Sequence, residues 1–265
     1  MSRRRVLLAG AMGRMGESLR AQLEGHPELA LGAALERPGH EALGRELAPG
    51  VRLTENAAEA LASVELAIVF ANPAGTLAVL REAAARGVPC VVGTTGLQPG
   101  EKKELETLAR RIPIVFAPNF SVAVNVLFHL AREAGRLLGD GFDAEIVELH
   151  HAAKIDAPSG TALRLAEAIA DGRGPERDRR FVLAREGETG VRAPGTIGVL
   201  ALRGGDNPGE HTVVFLGRGE RLELAHRSST REHFARGALA AASWLLGRPP
   251  GLYDMEQVLG LSAGV

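Results

Sequence analysis

The sequence predicts an α/β protein: a doubly wound parallel sheet, followed by a second α+β domain whose sheet is mixed and mostly antiparallel. Three observations lead there. Short apolar runs alternate with helical patterns as far as Phe120, the mark of a parallel sheet built from βαβ units. Glycines at three-residue spacing separate the first apolar run from the first helical pattern. Beyond Asn119-Phe120 the alternation stops, and a long helical stretch leads into strands joined by a hairpin signal.

Val6-Leu7-Leu8-Ala9 reads as a short buried strand. Met15, Leu19 and Leu23 repeat at helical spacing and form one apolar face. Leu29–Leu35 is a second strand ending at Glu36-Arg37, and Leu66–Phe70 is a third apolar run. A helix over 73–86 follows, with Pro73 in its first turn. Val88–Val92 is a strand that runs into Gly93-Thr94-Thr95-Gly96; a charged helix over 100–111 and a strand over Ile112–Phe116 complete the pattern. Ser121–Leu138 reads as one long helix with Ser121 as a candidate cap. Phe142–Leu149 is a strand, a helix opens near Ser159-Gly160-Thr161, and 172–195 reads as an extended loop. Thr196–Leu202, His211–Leu216 and Arg221–Ala225 are strands, the last two joined by Gly217-Arg218-Gly219-Glu220. Helices over about 230–246 and 254–260 close the chain.

Composition narrows the function. The chain has 265 residues, 45% hydrophobic and 24% charged, the balance of a globular protein able to bury a large core. A formal net charge of −1 offers no basic field for nucleic acid or an anionic membrane. No run approaches the roughly 18 apolar residues of a membrane span, so none is expected. Arg3-Arg4-Arg5 before Val6–Ala9 imitates an export signal, but the apolar run is too short and Arg14 interrupts it. Cys90 is the single cysteine, which excludes an internal disulfide framework and fits a reducing, cytoplasmic location. Of 31 Lys and Arg residues only Lys102, Lys103 and Lys154 are lysines, so each surviving lysine invites a functional question.

Gly10-Ala11-Met12-Gly13-Arg14-Met15-Gly16 lies between a strand and a helix, the setting of a dinucleotide-binding turn of Rossmann type. Glycines allow a tight turn and bring backbone N–H groups close to a pyrophosphate at the helix N-terminus. The spacing is GxxGxxG rather than GxGxxG, and turn glycines of an ordinary α/β protein are the alternative. Glu36, twenty residues beyond Gly16, stands where an acid meets ribose hydroxyls, and its neighbour Arg37 suits a 2′-phosphate. The two favour opposite cofactors, so both NADH and NADPH stay open. Gly93, Thr94 and Thr95 follow the carboxyl end of a strand, the edge at which open α/β sheets bind ligands. Cys90, inside the preceding strand, reads as a small core residue rather than a nucleophile.

The segment from Glu148 to Ala162 carries the chemistry. His150 and His151 close a strand, Lys154 lies four residues beyond His150, and a helix opens at Ser159-Gly160-Thr161. The free N–H groups and positive dipole end of that helix, together with Lys154, suit carboxylates. A histidine supplies or accepts a proton. No third ligand is spaced with the histidine pair and no HExxH is present, so a metal site is not expected.

His150-His151-x-x-Lys154-x-Asp156-Ala157-Pro158-Ser159-Gly160-Thr161-Ala162 resembles the signature of the dihydrodipicolinate reductase family. The resemblance runs the length of the chain. It includes Gly10–Gly16, Leu35-Glu36-Arg37, Gly93–Gly96 and Ala117-Pro118-Asn119-Phe120-Ser121. It continues through Arg203–His211, Glu223–Arg227 and Tyr253-Asp254-Met255. The family often reads Asp-Phe-Thr/Ser-x-Pro where this chain has Val69-Phe70-Ala71-Asn72-Pro73, so a carboxylate and a hydroxyl are missing, and Asn72 is the polar group that remains. Ala153 stands where a polar residue is frequent.

The resemblance implies reduction of 4-hydroxy-tetrahydrodipicolinate to tetrahydrodipicolinate in the diaminopimelate route to lysine, with hydride going to ring C4 of the dehydrated imine. It implies His150 and Lys154 as the catalytic proton pair, and His151, Ser159, Gly160 and Thr161 as substrate contacts. Cofactor contacts would be Gly10, Ala11, Met12, Gly13, Arg14, Met15, Glu36, Arg37, Gly93, Thr94, Thr95, Ala117, Pro118, Asn119 and Phe120. It further implies a cytoplasmic homotetramer with a dinucleotide-binding domain over 1–121, joined by a C-terminal return over 231–265, and a substrate-binding and oligomerisation domain over 122–230. Separate domains for cofactor and substrate imply hinges near 117–122 and 227–232. Rival readings are another two-domain oxidoreductase, a cofactor-binding sensor without turnover, and a reductase or dehydratase acting on a related ring.

Overall fold

A computed structural model describes residues 3–174 and 179–261, which divide into two compact units: 1–122 with 232–265, and 123–231. Chain order in the first unit begins with β1 (Arg4–Ala9), α1 (Arg14–Glu24), β2 (Leu29–Leu35), β3 (Glu46–Ala48), β4 (Val51–Thr54) and α2 (Ala57–Leu61). It continues with β5 (Leu66–Val69), α3 (Pro73–Arg86), β6 (Cys90–Val92), α4 (Pro99–Ala109) and β7 (Pro113–Phe116). Local chemistry sets the ends. Asn72 Oδ1 accepts from the Gly75 amide at 2.8 Å and Pro73 opens α3, while Gly87 ends it in the left-handed conformation. Gln98 and Glu101 form a capping box at the start of α4.

The second unit follows with α5 (Val122–Leu138), β8 (Asp143–His150), α6 (Gly160–Arg173), β9 (Phe181–Val182), β10 (Ile197–Arg203), β11 (Glu210–Leu216) and β12 (Arg221–Arg227). Its sheet runs β12-β11-β8-β10-β9. The ladders of β11 with β12 and with β8 are antiparallel over seven residues each; β10 pairs parallel with β8 and, over two residues, with β9. Ala144, Ile146, Val199, Val213 and Phe215 point from one face into a core shared with Leu127 and Phe128 of α5 and Leu165 and Ile169 of α6. The 172–195 stretch is not wholly loop. Its first two residues finish α6, and Phe181-Val182 adds an edge strand too short to show a period of two; residues 175–178 lie outside the described chain.

The chain returns to the first unit with α7 (Glu232–Leu245), β13 (Gly251–Tyr253) and α8 (Met255–Val258). The sheet there runs β13-β7-β6-β5-β1-β2-β4-β3, parallel throughout except for β3 against β4. Strands β1, β5 and β6 read as continuous apolar runs because helices cover both faces. Val6 and Leu8 face α1, α7 and Met255; Leu7 and Ala9 face α2, α3 and α4. The periodicity reading passes over β3, β4, α2 and β13, each three to five residues long and below the length at which a repeat can be seen.

Strand order reverses at β1, which lies between β2 and β5, and ligands of open α/β sheets bind outside the carboxyl ends of strands at such a point. The turn there is crowded. Gly10 has φ +78°, and a Cβ on Gly16 would lie 2.3 Å from the Gly10 carbonyl oxygen and 2.5 Å from that of Ala11. Gly16→Ala is expected to cost about 1–3 kcal/mol through backbone displacement, read as a lower urea midpoint at unchanged slope. Gly100→Ala in α4, where a Cβ meets nothing within 4 Å, serves as the control and leaves stability equal or slightly higher.

Candidate active site

Two groups of candidate site residues emerge, one in each unit. In the first unit a cleft of about 430 Å³ opens at the carboxyl ends of β1, β2 and β5. Gly10, Gly13, Glu36, Arg37, Glu55, Phe70, Ala71 and Asn72 line it. An adjoining depression carries Arg14, Met15, Gly16, Gly93, Thr94 and Thr95. The Glu36 carboxylate accepts from the Met12 amide at 3.1 Å and from its own neighbour's amide, Arg37, at 3.0 Å, so it ties the end of β2 to the glycine turn. Thr94 Oγ1 lies 2.6 Å from Thr76 Oγ1 and donates to the Ala71 carbonyl at 3.1 Å, binding the turn after β6 to the turn after β5.

Other residues expected at the cofactor stand differently. Ala11, Ala117 and Phe120 are buried in the core beside α7, and Phe120 packs its ring 5.7 Å from that of Phe70. Asn119 Oδ1 accepts from the Ser121 amide at 2.8 Å and shapes the turn that also holds Pro118. At the 69–73 departure from the family pattern, Val69 is core, Phe70 and Ala71 line both depressions, and the Asn72 side chain is engaged as the cap of α3. Cys90 is fully buried, and burial pushes its thiol far up, away from nucleophilic use.

In the second unit the register of the sheet assembles the other group. His226 pairs with His211 across β12 and β11, and His211 pairs with Glu148 across β11 and β8. Glu148 and His150 are two apart on β8, hence on one face. Arg203 pairs with His150 at the end of β10. The Glu148 carboxylate, 0% exposed, takes four donors. Oε1 accepts from the Ser159 amide and Arg203 Nη2, each at 2.9 Å. Oε2 lies 2.9 Å from Arg203 Nη1 and 2.5 Å from His150 Nδ1. Ser159 caps α6 through its Oγ, which accepts from the Ala162 amide at 3.2 Å and also lies 3.2 Å from His211 Nε2. The His150 and His211 rings meet edge to face at 5.2 Å.

The loop between β8 and α6 carries the remaining residues. Lys154 Nζ donates to both carboxylate oxygens of Asp156, at 2.8 and 2.9 Å. His151 Nε2 lies 3.3 Å from Arg231 Nη2. Gly160 and Thr161 form the first turn of α6, and Gly160 faces open space. His150, His151, Lys154, Ser159, Gly160 and Thr161 thus lie along one loop and helix start. Glu148, Arg203 and His211 received no role from the sequence. A glutamate on the face that also carries Ala144 and Ile146 was the available signal, since an inward acid in an apolar strand requires partners.

Burial opposes the Glu148 charge, yet Arg203, His150 and the Ser159 amide hold the carboxyl below the ordinary range. Burial lowers His150 against the pull of Glu148, and Lys154 and Arg203 add to the lowering. Burial also pushes His211 down to about 3 from 6.5, with His150 and His226 nearby adding to it. The folded protein therefore keeps His211 neutral where the unfolded chain binds a proton. Its stabilising contribution is full above pH 6.5 and is lost as pH falls from there toward about 3. The loss reaches on the order of 2 kcal/mol by pH 5. Urea midpoints are expected to fall between pH 7 and pH 5, and to fall less in His211→Gln.

Comparison with known proteins places the whole chain. A family model described as dihydrodipicolinate reductase, N-terminus, matches residues 4–120, and one described as dihydrodipicolinate reductase, C-terminus, matches 123–259. The chain is 46% identical over 267 residues to 4-hydroxy-tetrahydrodipicolinate reductase of Anaeromyxobacter dehalogenans, covering 98% of this chain and 99% of that one. It is 47% identical over 263 residues to the protein of that name from Thiobacillus denitrificans, covering 97% and 98%. Dipicolinate-bound dihydrodipicolinate reductase from Paenisporosarcina sp. TG-14 shares the fold, with TM-score 0.77 at 24% identity over 96% of this chain and 98% of that one. With both halves matched and nearly half of all positions identical to such relatives, the chain belongs to the dihydrodipicolinate reductase family.

Proposed function

We propose that the protein reduces 4-hydroxy-tetrahydrodipicolinate to tetrahydrodipicolinate with NADH or NADPH, in the diaminopimelate route to lysine. The observation that carries this reading is the single loop that joins His150, Lys154 and the N-terminus of α6, in a chain of this family. An imidazole, an ammonium and the positive dipole end of a helix are the groups a small dicarboxylate that must gain a proton requires.

The first unit fits a dinucleotide. The cleft lies at the switch point of the sheet, the glycine turn opens α1, and backbone packs too close to Gly10 and Gly16 for a side chain at either position. Gly10 to Met15 hold the pyrophosphate, Gly93 to Thr95 the nicotinamide half, and Ala117 to Phe120 border it. Glu36 meets the ribose hydroxyls of NADH, and Arg37 the 2′-phosphate of NADPH. When bound, the cofactor supplies the hydride for ring C4.

The chain's own residues do the rest. Lys154 exchanges its Asp156 partner for a substrate carboxylate, and the Gly160 and Thr161 amides with Ser159 and His151 hold the other carboxylate. His150 delivers the proton to ring C3, with Lys154 assisting. We place the reaction in the cytoplasm, in keeping with the one free thiol, and in a homotetramer built on the open face of the second sheet. Val147, Leu149, Leu200 and Val214 share that face with Leu202 and Leu216, which are 53% and 41% exposed.

The test is loss of reduced-nicotinamide absorbance with substrate generated in place from pyruvate and aspartate semialdehyde by a synthase. Turnover is expected only with the synthase present, and is lost in His150→Gln. Lys154→Ala is expected to lose at least ~10²-fold in kcat; near-normal turnover would remove Lys154 from the site. Cofactor binding without turnover would overturn this reading in favour of a sensor or of a different substrate. Glu36→Ala is expected to weaken NADH binding and spare NADPH, measured by fluorescence titration of each cofactor; an equal loss of both would discard Arg37 as the phosphate contact.

A further inference from the structure

We infer that Glu148 is a positioning residue for proton transfer: its carboxylate, clamped by Arg203, holds the His150 imidazole by Nδ1 and leaves Nε2 as the atom that exchanges the proton. The inference rests on the assignment of His150 as the proton donor and adds the group that aims it.

The geometry fixes the ring. Glu148 Oε2 is 2.5 Å from His150 Nδ1, and both carboxylate oxygens are otherwise occupied by donors, two from Arg203 and one from the Ser159 amide. An ionised carboxylate only accepts, so Nδ1 carries the hydrogen. Nε2 is then the acceptor of the neutral ring and the second donor of the imidazolium. Arg203 is itself fastened, donating to the backbone oxygens of Leu202 and Asp156, both at 2.6 Å, so the clamp does not swing. On the opposite edge of the ring stands Gly209: a Cβ there would lie 2.8 Å from Nε2 and 3.2 Å from Cδ2. A side chain at 209 would press on Nε2, and glycine there avoids it. Burial makes the arrangement matter, because a buried imidazolium needs a counter-charge within reach.

The proton balance is simple. The Nε2–H bond breaks, its electron pair stays on the ring, and the enamine carbon uses its own electron pair to form the new C–H bond. Glu148 neither gains nor loses a proton. The Nδ1–H bond to Glu148 persists through the step, so the ring does not reorient.

Glu148 also ties α6 and β10 to β8, and its loss has structural effects; a double-mutant cycle separates the two roles. The full chain is prepared as wild type, Glu148→Gln, His150→Gln and the pair, each checked for unchanged NADPH affinity. Glu148→Gln is expected to lose at least about tenfold in kcat. The pair is expected to match His150→Gln within about twofold, because a residue that acts through His150 has nothing left to act on. Losses that multiply would overturn the inference. Full activity in His150→Gln alone would instead sink the assignment of His150, a separate outcome.

The pH profile supplies a second readout. Among the described residues, Glu148, Lys154, Arg203 and His211 are the charged and titratable groups that act on His150. Removing the one negative charge among them is expected to move the kcat limb that reports protonated His150 down by about one pH unit; an unmoved limb would count against the inference. If Glu148→Gln does not fold, imidazole nitrogen-15 shifts of the wild-type protein decide, with the His150 signal identified by its absence in His150→Gln. The hydrogen is expected on Nδ1, and a neutral ring protonated on Nε2 would overturn the inference.

Discussion

A buried carboxylate that must be neutralised on every side organises the second unit. Glu148 has no access to water, and an ion in that position is tolerated only when charge and hydrogen bonds replace the lost solvation. Four hydrogen bonds from three residues do so, and each residue ties in a different part of the chain. The Ser159 amide brings in the first turn of α6. Arg203 brings in the end of β10. His150 is the next inward residue of the same strand. The segment 151–158 is consequently held at both ends, and Lys154 and Asp156 project from a loop whose anchors cannot drift apart. Because the same carboxylate secures the fold and touches the proposed acid, stability and chemistry are linked through one side chain.

The first unit obeys a steric constraint instead. Parallel strands covered on both faces give a rigid sheet with its polar ends gathered at one edge. There the glycine turn is pressed against the turn after β5, and Glu36 reaches across to hold the Met12 amide. The buried Thr76–Thr94 contact couples the next turn to the same edge. The departure at Val69-Phe70-Ala71 is absorbed without disturbing this edge, since Val69 packs in the core and Asn72 supplies the cap of α3.

Much of this was legible in advance. Long elements with a clear repeat, such as α1, α3, α5 and the paired strands β11 and β12, were found at nearly their observed positions. Five short elements, β3, β4, α2, β9 and β13, were not, because they lack a pattern of their own, whereas β5, β6 and β7 are as short but show as apolar runs. The loop that carries His150, His151, Lys154 and Ser159 was legible because its residues are adjacent in sequence. Arg203, His211 and His226 were not assigned a part, because they reach Glu148 and His150 only across a sheet.

The sequence by itself determined the class of fold, the family, and the segments proposed for cofactor and substrate, because each rests on local spacing: glycines at a turn, a repeat along a helix, a cluster within one loop. Tertiary structure alone decided which groups share a proton or a charge. Strand register set Glu148 beside His211, and inward alternation set it beside His150. Burial removed the water that would have screened them. Distances of a few ångströms between residues dozens of positions apart follow from packing, and no local pattern encodes them.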